Sequence, residues 1–94
     1  MVIFNVELSG QAKKDLKRVP DYIVDKLETW IDAVEREGLE EVRKISGYHD
    51  EPLKGERQGQ RSIRLSRSYR AIYRVKPSGV IECVIIEEVT KHEY

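Results

Sequence analysis

The chain has 94 residues, 17 of them Lys or Arg and 17 Asp or Glu, so its formal net charge is zero. That length holds one small domain with a single core, and no apolar run approaches the ~20 residues that span a bilayer. A single cysteine, Cys83, excludes an internal disulfide and cannot alone build a thiolate metal cluster.

The opening "MVIFNVELSG" has no basic leader or small-residue cleavage site, so a cytoplasmic location is expected. Within it Phe4, Val6 and Leu8 alternate as a half-buried strand would. Ser9 stands where an N-cap belongs, and Ala12, Leu16 and Val19 follow at helical spacing. Pro20 interrupts and suits the first turn of a new helix. Ile23, Leu27, Trp30, Ile31 and Val34 then form one apolar stripe that Gly38 closes. Leu39, Val42 and Ile45 suggest a further turn or two of helix, and 47–59 reads as a loop punctuated by Pro52, Gly55 and Gly59.

The last third reads as strands. Ile63 and Leu65 alternate with Ser62 and Arg64, a turn follows near Ser66 to Ser68, and "YRAIYRV" returns. "KPSG" has the composition of a second turn, and "VIECVIIEEV" is apolar enough to be a central strand. The order β-α-α-β-β-β over 1–94 predicts a single α+β domain. Two N-terminal helices would pack on one face of a small, mainly antiparallel sheet and leave the other face free.

Neutrality here is a cancellation between segments. From Pro52 to Lys76 there are eight cations and one acid, Glu56, giving +7; residues 1–51 carry −4 and residues 77–94 carry −3. Such asymmetry points to a polyanionic partner. Arg64 and Arg70 fall on the two strands of the expected hairpin, where two guanidinium forks can share one phosphate. Lys54, Arg57, Arg61, Arg67 and Lys91 would extend that surface along a polynucleotide backbone. The plainer reading is a solvated face whose cations pair with acids of the N-terminal helices.

Two histidines suit proton transfer near neutral pH. His92 lies in the final "VTKHEY", between Lys91 and Tyr94; His49 lies in "HDE", whose spacing offers no common face for metal ligands. Glu51 borders the basic segment, either as a salt-bridge partner or as a general base kept ionised by cations. Tyr69, Tyr73 and Tyr94 have the surface to stack on bases, although Tyr73 alternates with Ala71 and Val75 as a core residue would. Trp30 and Cys83 read as packing residues.

The run "EPLKGERQGQRSIRLSRSYRAIYRV" with the ending "KHEY" resembles the RelE/ParE superfamily of type II toxins, closest to its YoeB-like and HigB-like mRNA interferases. The resemblance rests on Pro52-Leu53-Lys54-Gly55, Ser62-Ile63-Arg64 and Arg70-Ala71-Ile72-Tyr73. It implies a RelE-like fold, a cognate antitoxin, and ribosome-dependent cleavage of mRNA on the 70S ribosome without metal or other cofactor. By that resemblance Glu51 is the general base, Arg64 and Arg70 hold the scissile phosphate, His92 is the general acid and Tyr94 stacks on a base. The acid and base labels of Glu51 and His92 can be exchanged. The chain departs from the YoeB-like pattern where Glu93 separates His92 from Tyr94, and where Gln60-Arg61 replaces aromatic residues. Two rival readings follow from the same likeness: a non-enzymatic ParE-type toxin that binds DNA gyrase, and an inactive relative that only docks an antitoxin.

Overall fold

The structure is a computed structural model and describes residues 3–91. Strand β1 (Ile3–Leu8) leads into helices α1 (Gly10–Leu16), α2 (Asp21–Glu37) and α3 (Leu39–Arg43). Strands β2 (Glu51–Pro52), β3 (Arg61–Arg64), β4 (Tyr69–Ser78) and β5 (Ile81–Lys91) follow. The sheet order is β1-β5-β4-β3-β2, with β1 parallel to β5 and every other pair antiparallel. This is the α+β, RelE-like layout expected, with one more helix and one more strand.

Local chemistry sets the helix ends. The Ser9 hydroxyl accepts the Ala12 N–H at 3.0 Å and starts α1. Pro20 is the N-cap of α2 and sits just outside its first turn. Gly38 ends α2 at φ +92°, and a Cβ there would lie 3.1 Å from the Phe4 ring. Glycine is therefore required twice over, by backbone and by contact.

One face of α2 buries Ile23, Leu27, Trp30 and Val34 against Ile63, Ala71, Tyr73, Val84 and Ile86 of the sheet. Each such large side chain contributes about 1.5–3 kcal/mol by leaving water. Trp30 and Tyr73 anchor this core with ring centroids 5.1 Å apart at a 49° tilt, and Tyr73 is a core residue with no free face for a base.

Two expectations are corrected, while β5 is an interior strand as expected, flanked by β1 and β4. The loop at 47–59 contains the two-residue strand β2. "KPSG" is not the turn: β4 continues through Pro77, and the chain reverses at Gly79 and Val80. Proline is tolerated there because β3 has already ended at the register of Tyr73, leaving that side of β4 unpaired.

The register shifts between Ile72 and Tyr73, which pair with Glu88 and Ile86, so Glu87 is an extra residue in β5. Such a bulge breaks the two-residue alternation. Both Glu87 and Glu88 thereby meet partners on the open face. The Ser9 hydroxyl donates to the Glu87 carbonyl at 2.7 Å, tying the bulge to the start of α1.

Candidate active site

The face of the sheet away from the helices holds a cleft of about 170 Å³, lined by His49, Glu51, Ser62, Arg64, Ser66, Arg67, Tyr69 and Arg70. Its geometry follows from register. Glu51 lies opposite Ser62, and Arg64 lies opposite Arg70. Residues two apart on a strand share a face roughly 7 Å apart, so Glu51 and the arginine pair occupy successive rows of one surface. The hairpin that fixes this pairing is closed by Ser66, whose hydroxyl accepts the N–H groups of Ser68 and Tyr69 at 3.1 and 3.2 Å. Arg67 stands at the tip of that turn.

The cations divide into two groups. Arg57 pairs with Glu88, and Arg74 pairs with Glu87 at 3.0 Å. The acids that neutralise the open face thus come from β5 and the bulge, whereas the plainer sequence reading assigned them to the N-terminal helices. Arg64, Arg67 and Arg70 have no ion-pair partner among the described residues. Opposed like charges on neighbouring strands are destabilising, so Arg64 and Arg70 hold an arrangement that an anion would relieve.

Arg61 departs from its expected place on the RNA-binding face. In its register it lies opposite Tyr73, on the helix side of the sheet, and its Nε donates to Asp50 Oδ1 at 2.6 Å. The Asp50 side chain is only 1% exposed. Its other oxygen accepts the Tyr73 hydroxyl at 2.6 Å, and the Tyr73 oxygen accepts Arg43 Nε at 3.4 Å. Burial first, then the hydrogen bond to Asp50, pushes the Tyr73 hydroxyl up to about 12, against the opposing effect of Arg43. Burial alone would lower the Arg61 pKa; the Asp50 carboxylate more than reverses this and raises it.

Asp50 therefore anchors the loop from below while its neighbours His49 and Glu51 open into the cleft. The "HDE" run does not converge as a ligand set. Lys54, Arg57 and Lys91 are exposed; Arg57 and Lys91 line a neighbouring groove of about 530 Å³ that shares Arg70 and is floored by Ile72, Leu53 and Thr90. His92 and Tyr94 lie outside the described residues. Sequence reasoning set His49 aside because a loop of unknown shape gave it no face, and it could not see Asp50 turning inward; the run of polar residues beside "PLKG" was the one available signal.

Residues 6–88 match the family described as the ParE toxin of the type II toxin–antitoxin system, parDE. The chain belongs to that family. It is a type II toxin of the RelE/ParE superfamily. Its fold is similar to that of YafQ from E. coli, with 21% identity and a TM-score of 0.74 over 94% of this chain and 92% of that one. A YoeB/ParE toxin from Agrobacterium tumefaciens shares 23% identity and a TM-score of 0.73, over 95% and 99% of the two chains. The toxin–antitoxin complex RelBE2 from Mycobacterium tuberculosis contains a chain 23% identical, with a TM-score of 0.69 over 97% and 100%. No curated protein matches the sequence.

Proposed function

We propose that this toxin is an mRNA endoribonuclease that works in the ribosomal A site and uses the RNA's own 2′-hydroxyl as nucleophile. The observation that carries the reading is the directly opposed pair Arg64 and Arg70 beside an exposed Glu51, with no acid of the described residues paired to either arginine. Two guanidinium forks in one row suit a phosphate whose charge grows as a fifth oxygen bonds to phosphorus. Glu51, one row away, takes the 2′-hydroxyl proton, and an acid, the role that the family resemblance alone would give to His92, supplies one to the departing 5′-oxygen. Tyr94 would stack on a neighbouring base. The products are a 2′,3′-cyclic phosphate, or the 3′-phosphate after hydrolysis, and a 5′-hydroxyl, and DNA is inert for want of the nucleophile.

Exposed Lys54, Arg57, Arg67 and Lys91 supply a track for the flanking backbone. A cognate antitoxin is the partner in the cell, as in the DinJ–YafQ and YoeB–YefM complexes of structurally similar toxins, and the cytoplasm is the site of action. No described helix is long and apolar enough to cross a membrane.

Toeprinting of a defined mRNA on 70S ribosomes tests the proposal. Cleavage in the A site that Glu51→Ala and Arg70→Ala each abolish is the expected result. The match to the parDE family favours a second reading, a gyrase-binding toxin without nuclease activity. Intact mRNA together with inhibition of gyrase supercoiling would establish it.

A further inference from the structure

We infer that His49 is a catalytic residue of this cleft and donates the proton to the leaving 5′-oxygen. The inference rests on the ribonuclease reading and gives the acid a place among the described residues. Its first support is position. His49 lines the same cleft as Glu51, Arg64 and Arg70, so an RNA phosphate held by the arginines would share that cleft with both a carboxylate and an imidazole.

Its second support is how firmly the imidazole is mounted. Tyr48 on one side is buried at 7% exposure, with Lys26 Nζ 5.3 Å from its ring centre. Asp50 on the other side is held by Arg61 and Tyr73. Between these two anchors His49 itself is exposed. A free loop histidine would have no such fixed backbone.

The third support is conformation. His49 is the only non-glycine residue at positive φ among the described residues, at φ 45° and ψ 48°. L-residues adopt that region sparingly, and such departures gather at functional sites. The left-handed turn lets the chain bury Tyr48 and Asp50 while leaving the imidazole in the cleft. An idle surface position would be served by Gly or Asn at lower cost.

The step balances. The 2′-oxygen forms a bond to phosphorus and its proton passes to Glu51. The bond from phosphorus to the 5′-oxygen breaks, and the proton on His49 passes to that oxygen. The imidazole ends neutral and the carboxyl protonated, and solvent exchange restores both.

The test is ribosomal cleavage of an mRNA carrying either the ordinary linkage or a single 5′-bridging sulfur at the A-site codon. A thiolate leaves without help from an acid. The variant is His49→Asn, because asparagine keeps the left-handed backbone, with circular dichroism to confirm the fold. We expect His49→Asn to slow cleavage of ordinary mRNA by about 100-fold or more and to approach the unsubstituted toxin on the sulfur-bridged one. Arg70→Ala stays defective on both. A His49→Asn variant that cuts ordinary mRNA at the full rate, or whose defect persists equally on the sulfur-bridged substrate, overturns the role of His49 while leaving the ribonuclease reading intact. Rescue of His92→Asn in its place would hand the acid's role to His92 and overturn the inference. No cleavage by the unsubstituted toxin overturns both.

Discussion

Asp50 and Arg61 form an ion pair whose carboxylate is buried and whose guanidinium reaches the edge of the protein, their side chains 1% and 26% exposed. The pair lies on the opposite side of the sheet from the cleft, yet it fixes the backbone on which Glu51 and His49 stand. Removing the acid strands the Arg61 cation and the Tyr73 hydroxyl. Breaking a buried pair from one side costs about 3–5 kcal/mol, and access of Arg61 to water sets the lower figure. We expect Asp50→Ala to lower unfolding stability by about 3 kcal/mol in urea titrations, and to weaken RNA cleavage even where the fold survives.

Arg64→Ala or Arg70→Ala should separate stability from activity. Each removes one of two opposed like charges, so stability should hold or rise by a few tenths of a kcal/mol. Cleavage should fall about 100- to 1,000-fold, the usual loss when a donor to developing charge is removed. Arg57→Ala and Arg74→Ala, which break exposed ion pairs, should change stability by less than about 1 kcal/mol and cleavage far less. Denaturant titrations beside single-turnover cleavage on ribosomes measure both quantities. Equal losses for all four arginines would dissolve the distinction between paired and unpaired cations.

Tyr73 predicts an alkaline weakness. Its folded pKa of about 12 lies above the ordinary value of 10.0, so the folded state binds the phenol proton more tightly than the unfolded chain does. The resulting stability is complete below about pH 10 and is lost as pH rises towards 12, by roughly 2 kcal/mol. Tyr73→Phe removes this alkaline loss, at the cost of leaving Asp50 one donor short at neutral pH. Urea midpoints of the two proteins across pH 9–12 would show the unsubstituted toxin declining more steeply. Parallel declines would refute the assignment.

Gly38→Ala joins a φ of +92° to a 3.1 Å approach by Phe4. The backbone penalty and the displaced ring together should destabilise by about 2 kcal/mol, measurable as a drop of several degrees in Tm. Gly10→Ala is the control, since nothing lies within 4 Å of a Cβ there and its backbone is helical.

Much of this architecture was legible because periodicity speaks for one face at a time. The Ile23, Leu27, Trp30 and Val34 stripe, the Ser9 cap and the Arg64 hairpin are local patterns, and each stands as read. The parts that were not legible depend on contacts distant in sequence. β2 has two residues and no pattern of its own; it exists because Glu51 meets Ser62. Arg61 looked like its neighbours in a basic run, and only the inward turn of Asp50 gives it a different partner. The bulge at Glu87 could not be read from "IIEEV", since its anchor, Ser9, lies 78 positions earlier. The charge excess was visible as a total, but its division into neutralised and open cations required the sheet.

The parallel pairing of β1 with β5 joins the first described residue to the last described strand, as Ile3 aligns with Ile81. During synthesis β1 packs on its helices but has no strand partner until β5 has been made. Val84, Ile86 and Val89, which complete the core beneath α1 and α2, arrive with that same strand. Long-range closure of this kind is slow compared with helix formation. A ribosome translating this message thus holds an incomplete sheet throughout the synthesis of everything between β1 and β5. The sheet closes only after β5 has cleared the ribosome, which gives a waiting partner an interval in which to reach the toxin first.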